Sequence, residues 1–300
     1  MTIDNIREFN RSVTMSNYTW QKITDRIYLI VATYGPHRNA MQLLIGDEKA
    51  ALIDTSMGAT GNLRELVESI TPLPISCFIT HMHPDHAGAS MLFDERHLNP
   101  ADEVHCWWAL TKEKRHLDLE DVYVDDEEFR RQAELEMVDN SDFTFFPMYD
   151  GDVFDLGGIT LEVLAAEGHT EGSVVLFCKE ENALFAGDSI APKTVLVGEH
   201  KTRYTPLTTV YEHLLKIAGK ADKNTKIFCG HAPKALPVST LDALLKALRN
   251  VLDGNPTRET PEPKFQYEED GSPNYKETVG AVSIIYNEAS LCAAPDMTAY

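Results

Sequence analysis

Apolar residues fall along this chain in two rhythms. Trp20 to Val31 and Ala40 to Ile45 are rich in β-forming residues and flank a polar turn at 32–39, which predicts a hairpin. Lys49–Asp54 and Ile75–Thr80 predict two further strands, the second an apolar, buried one. Between them Leu63, Leu66, Val67 and Ile70 recur at helical spacing, predicting a helix over Gly61–Ile70 that stops before Pro72. Residues 86–95 read as a helix entry and Val104–Trp108 as a short buried strand. Residues 109–138 combine heavy charge with apolar positions at helical intervals and predict inserted helices. Two or three short strands follow over 143–164, then a loop over 191–205 and helices over Pro206–Ala218 and Leu236–Leu252. Gly254–Pro273, dense in Pro, Gly and acidic residues, reads as extended or mobile, and Val279–Tyr286 as one more strand.

Composition narrows the partners. A 43% hydrophobic content over 300 residues is ordinary for a globular chain with a sizeable core. No apolar window is long enough to span a bilayer. The start, Met1-Thr2-Ile3-Asp4-Asn5-Ile6-Arg7-Glu8, lacks a basic region followed by an apolar one, so a cytoplasmic location is expected. Cys77, Cys106, Cys178, Cys229 and Cys292 are scattered and odd in number, which predicts reduced, mostly buried thiols. The formal net charge is −20, from 27 basic and 47 acidic residues. Such a chain lacks the basic footprint of a nucleic-acid binder and is repelled by anionic lipid, so neither partner is expected; a small-molecule substrate is. The oligomeric state is left open.

The candidate chemistry starts at Thr80-His81-Met82-His83-Pro84-Asp85-His86, where three histidines and an aspartate fall within six positions at the end of a predicted strand. Imidazole nitrogen and carboxylate oxygen are good ligands for zinc-type ions. Three more donors stand where later strands end, each directly after a glycine: His169 in Gly168-His169-Thr170, Asp188 in Gly187-Asp188, and His231 in Gly230-His231. Glycine there lets the backbone turn sharply or pass close to a bound group.

These segments together resemble the metallo-β-lactamase fold superfamily of metal-dependent hydrolases, whose pattern is H-x-H-x-D-H followed in order by a His, an Asp and a His. An early aspartate after an apolar strand is matched by Asp54, and the resemblance covers about positions 20–250. It implies an α/β chain folded as a four-layer αββα sandwich, with residues 1–253 as the hydrolase domain, a helical insertion at about 109–142, and 254–300 as an extension packed on the same domain. It also implies two divalent ions, most simply Zn²⁺ with Mn²⁺, Fe or Co²⁺ accepted. By resemblance, His81, His83 and His169 hold the first ion, Asp85, His86 and His231 the second, and Asp188 bridges. A metal-bridging hydroxide would then be the nucleophile, oriented by Asp85 and Asp188, on a small ester, thioester, lactone or phosphodiester. Asp54 and Thr170 are candidates to orient ligand histidines, although strand-end turn chemistry accounts for Asp54 equally.

Substrate contacts are expected from Tyr34 and His37 on the first hairpin and from Tyr204. Trp107, Trp108, Tyr149 and His200 are further candidates, and Lys193, Lys201 and Arg203 are expected to meet a carboxylate or single phosphate. The alternative is an oxygen- or redox-active diiron protein, or a non-hydrolytic metal-binding module of the same fold. Diiron relatives usually carry H-x-E-x-D in the first cluster, whereas positions 83 and 86 here are both His, which favours hydrolysis. Only 42 residues, positions 189–230, separate Asp188 from His231, too few for the domain inserted in RNA-processing relatives.

Overall fold

The computed structural model describes residues 17–59, 63–141, 144–197, 204–268 and 270–291. Its first half forms β1 (Tyr18–Lys22), β2 (Ile27–Tyr34), β3 (His37–Ile45), β4 (Ala50–Ile53), α1 (Leu63–Ile70), β5 (Ile75–Phe78), α2 (Pro84–Ala87) and β6 (Glu95–Leu98). Helices α3 (Cys106–Ala109), α4 (Lys112–Asp118), α5 (Glu120–Asp125) and α6 (Glu127–Glu136) then lead to β7 (Phe146–Pro147). Among the described residues β1 to β7 make one seven-stranded sheet in sequence order. The second half contributes β8 (Val153–Asp155), β9 (Thr160–Ala165), β10 (Val174–Cys178), β11 (Ala183–Phe185), β12 (Lys193–Leu196), α7 (Leu207–Ala218), β13 (Lys226–Phe228), β14 (Leu236–Pro237) and α8 (Ser239–Leu252). Its six-stranded sheet runs β14-β13-β11-β10-β9-β8.

Strand alternation assigns the layers. Along β2, Ile27, Leu29 and Val31 enter the core between the two sheets, where Leu161, Val163, Leu176, Phe185 and Phe228 meet them from the second sheet. The intervening Ile30, Ala32 and Tyr34 face outward into a second core with Leu63 and Val67 of α1. On the far side Leu164, Val175 and Leu184 point away from the central core toward Leu214, Leu244 and Leu248 of α7 and α8. Helix, sheet, sheet and helix therefore stack in four layers, the αββα sandwich expected from the sequence. No helix among the described residues is long and apolar enough to cross a membrane.

Helix α4 is fastened to its surroundings by a buried arginine. Arg115, 0% exposed, donates from Nη1 to the carbonyls of Met57 (3.2 Å) and Gly88 (3.0 Å) and from Nη2 to that of Val138. Burial lowers its pKa to about 10, which still leaves it charged at neutral pH. Thr111 and Asp126 cap α4 and α6 by accepting from the amides of Lys114 and Phe129.

Four expectations are corrected. Val104–Trp108 is not a strand: a 3₁₀ helix over Pro100–His105 runs into α3, because Asn99 caps the Ala101 amide and Pro100 fits the first turn. The loop expected at 191–205 contains β12, which pairs in parallel with β16 (Val282–Asn287), a partner too distant in sequence for local patterning to reveal. The helix expected over Leu236–Leu252 starts at Ser239, since Leu236 and Pro237 form β14. The segment 254–273 holds a 3₁₀ turn at Pro263–Phe265 and a bridge from Glu259 to Lys276, so it is partly ordered onto β15 (Asn274–Val279). A small sheet, β12-β16-β15, adds Leu196, Ile284 and Tyr286 to the core under α7 and α8.

Candidate metal centre

The seven candidate donors arrive from the ends of β5, β9, β11 and β13 and converge. Donor atoms of His81, His83 and His169 lie within 4.8 Å of one another, as do those of Asp85, His86 and His231. A third such group, His81, His86 and Asp188, links the two. His83 Nδ1 is 3.0 Å from His81 Nε2 and 2.9 Å from His169 Nε2, close to the ~3.3 Å edge of a tetrahedron with 2.0–2.1 Å bonds. Asp188 stands between the triads: Oδ2 is 3.7 Å from His169 Nε2 and 3.1 Å from His231 Nε2, and Oδ1 is 3.5 Å from His86 Nε2. Both His86 Nε2 and Asp188 Oδ1 are buried with no hydrogen-bond partner. Buried polar atoms without partners are costly, and a cation satisfies both at once. The donor set therefore fits divalent metal.

His81, Asp188 and Asp85 have protonation states that suit that role. Asp188, by contrast, holds His231 well above its ordinary pKa, and Asp54, against the pull of burial, raises His86, so an ion binding there must displace protons. Burial, reinforced by the neighbouring histidines, pushes His81 well below its ordinary pKa, leaving a neutral imidazole. Burial opposes ionisation of Asp188, but His231 and His86 outweigh it and hold the carboxyl well below the usual range. Asp85 follows the same balance: burial raises it, His86 and His231 lower it more, and it ends below its ordinary value.

Groups behind the donors fix their orientation. Asp54, 2% exposed and in the left-handed region at φ 60°, accepts from the Thr80 amide (2.8 Å) and hydroxyl (2.9 Å) and faces His86 Nδ1 at 2.8 Å. Its carboxylate thus lies against the inner nitrogen of a candidate ligand histidine. Thr170 does not touch a ligand histidine; its hydroxyl donates to Asp102 at 2.8 Å. The group facing His169 Nδ1 is instead the Val195 carbonyl at 2.8 Å, and His231 Nδ1 meets the Arg38 carbonyl at 2.8 Å. Sequence reading misses Asp102, which is fully buried and also accepts from the amides of Met82 and Gly172, tying the first donor loop to the second. The Asn99-Pro100 helix start is the one local signal that places it in a first turn. Asn39, also missed, donates to Asp85 Oδ2 at 3.1 Å. Gly187 and Gly230 are required by space: an added Cβ would lie 2.3 Å from Thr80 Oγ1 or 2.2 Å from His86 Cε1.

A cavity of about 680 Å³ opens on His83, Asp85, His169, Asp188 and His231. Its other walls come from the β12 segment and from Lys264 and Phe265. His37 lines it, with Nε2 2.7 Å from Asp121 of α5. Tyr34 does not line this cavity: it is 1% exposed, its hydroxyl pairs with Ser56 at 3.2 Å and its ring lies tilted against Phe129, and it borders a smaller pocket of about 230 Å³ shared with Asp85 and His231. Tyr204 does not line this cavity; it sits against Ser272 and Glu268 of the C-terminal segment. Nor do Trp107, Trp108 and Tyr149, and Trp107 is 68% exposed. His200, Lys201 and Arg203 lie outside the described residues.

Comparison with known proteins agrees with this architecture. The sequence model of the family described as metallo-beta-lactamase superfamily matches residues 38–231. The chain is 25% identical over 238 residues to the acyl-coenzyme A thioesterase MBLAC2 of Homo sapiens, covering 71% of this chain and 81% of that one. It is 25% identical over 213 residues to a probable metallo-hydrolase of Bacillus subtilis, covering 67% and 88%. A metallo-beta-lactamase family protein of Thermus thermophilus superposes with a TM-score of 0.56 at 22% identity, covering 78% of this chain and 82% of that one.

Proposed function

The chain belongs to the metallo-beta-lactamase superfamily and is a metal-dependent hydrolase; from that premise we propose that it uses two divalent ions, Zn²⁺ foremost, to hydrolyse a small thioester. The observation that carries the reading is the seven-donor cluster opening on a cavity large enough for a small substrate. His81, His83 and His169 would hold one ion, and Asp85, His86 and His231 the other, with Asp188 shared between them. When bound, such ions supply a water of lowered pKa and polarise the carbonyl under attack.

The chain's own residues do the remaining work. Asp85, steadied by Asn39, and Asp188 accept hydrogen bonds from the attacking water and set its direction. Asp54, Val195 and Arg38 lock the histidines' tautomers through their inner nitrogens. No Ser or Cys nucleophile is needed. A thiol has a pKa of about 8.5, so a thiolate departs near neutral pH without a strong general acid. The apolar side chains of Val195 and Val197 offer a surface for an acyl chain. The thioesterase name of the human relative supports the same substrate class.

Elemental analysis of the purified protein, followed by a panel of thioesters, oxygen esters, lactones and phosphodiesters, tests this reading. Close to two transition-metal ions per chain and thioester turnover are expected. Asp188→Ala should lose metal and most activity while circular dichroism stays unchanged. Failure to take up Zn²⁺ or Mn²⁺, or parent-level turnover by that variant, would overturn it.

A further inference from the structure

The C-terminal segment reaches into the active cavity, and its contribution is not only packing. Lys264 and Phe265, from the 3₁₀ turn at Pro263–Phe265, share the cavity wall with Lys193 of β12. Lys193 Nζ lies 5.0 Å and Lys264 Nζ 4.7 Å from the centroid of the Phe265 ring. Among the described residues lining this cavity, these two supply its only lysine or arginine charges. Among the ion pairs of the described residues, Glu262 Oε1 meets this group at 3.9 Å from Lys193 Nζ, leaving two ammonium groups against one paired carboxylate in a chain of net charge −20. Asp85 and Asp118 border a smaller pocket with Lys264.

We propose that Lys193, Lys264 and Phe265 form an anion subsite that selects thioesters whose thiol half carries a carboxylate or phosphate. This rests on the thioester reading above. The Phe265 ring is in cation–π contact with both ammonium groups, which helps hold two like charges at one wall of the cavity. Each keeps N–H donors for an oxyanion, and a lysine ammonium meets either anion as a point charge. The histidine and aspartate donors lie in the same cavity, so one substrate can present its carbonyl to them and its anion to the lysines. The acidic surface elsewhere makes this local charge the feature that admits an anionic ligand.

The test uses metal-loaded full-length protein and three acetyl thioesters: of coenzyme A (phosphates), of glutathione (carboxylates) and of N-acetylcysteamine (neutral). Lys193→Ala, Lys264→Ala and the double variant change exposed side chains, and circular dichroism checks that the fold is retained. The double variant should raise KM for an anionic thioester about five- to tenfold, leave kcat within about twofold and leave the neutral thioester unchanged. Lys264→Arg should restore most of the loss. The arm that responds tells phosphate from carboxylate. Equal effects on all three thioesters, or none, would overturn the subsite. Calorimetric binding of coenzyme A and glutathione separates this from failure of the hydrolase reading. Lysine-dependent, salt-weakened binding supports the subsite even if no thioester is cleaved, and its absence refutes it.

Discussion

Replacing Asp54 by Asn tests how the second triad is held. The side chains are isosteric, and Asn also tolerates the left-handed backbone at φ 60°, so the fold should survive. The hydrogen bonding cannot. Oδ1 accepts from the Thr80 amide, while Oδ2 meets both the Thr80 hydroxyl and His86 Nδ1. An amide has one acceptor oxygen. Turned toward the Thr80 amide, its NH₂ opposes that N–H; turned the other way, it donates to His86 Nδ1. The second arrangement moves the imidazole proton to Nε2, the atom that faces Asp188 in the donor cluster. Either outcome costs about 1–3 kcal/mol of unmet hydrogen bonding, and loss of such a supporting group weakens metal binding 10–100-fold, ~1.4–2.7 kcal/mol. Chelator competition on Asp54→Asn should show this loss at one of two sites, the one that uses His86, with the other unchanged. Parent-level affinity at both sites in a folded variant would refute the orienting role.

Further outcomes follow from close packing and from charge. Gly230→Ala puts a methyl 2.2 Å from His86 Cε1 and 2.8 Å from Asp188 Oδ1, so His86 must retreat by roughly 1 Å; a stability loss of about 1–3 kcal/mol with a larger loss of metal is expected from unfolding midpoints and metal content. Arg115→Met keeps the volume but leaves the carbonyls of Met57, Gly88 and Val138 short of a donor, and should cost roughly 3 kcal/mol or more in denaturant unfolding. The net charge of −20 predicts no binding or cleavage of nucleic acid; mobility-shift assays at low salt with metal-loaded protein check it, and Asp188-dependent cleavage would reverse the conclusion.

The donors are legible in the sequence because each lies next to a glycine or inside one short motif at the end of an apolar strand, and both signals are local. Asp54 is legible for the same reason. The neighbours that orient His169 and His231 are not, because the backbone carbonyls of Val195 and Arg38 carry no side-chain signature. Residues 193–196 read as loop since their partner strand begins at Val282, and Lys264 lines the cavity from a turn far along the chain, at Pro263–Phe265. Tyr34 reads as a substrate contact by its place in the hairpin, but strand alternation turns it to the helix side of the sheet, where it packs against Phe129.

The bond between His231 and the Arg38 carbonyl spans 193 positions, and Ala40 donates to the Gly230 carbonyl at 2.6 Å beside it. The first hairpin and the last donor therefore latch together across almost the whole catalytic core. Contacts of this kind raise contact order and are formed late, after the entropy of closing a long loop has been met. During synthesis, the HMHPDH segment leaves the ribosome about 145 residues before His231 does, a wait of roughly 7–30 s at 5–20 residues per second. The N-terminal half alone offers two histidine or carboxylate donors per site, and the Asp85–His86 pair lacks His231 until the latch closes. On the two-ion reading proposed above, complete metal capture would be a late event in the life of the chain, with the order of assembly set by which two ends of the core hold each other.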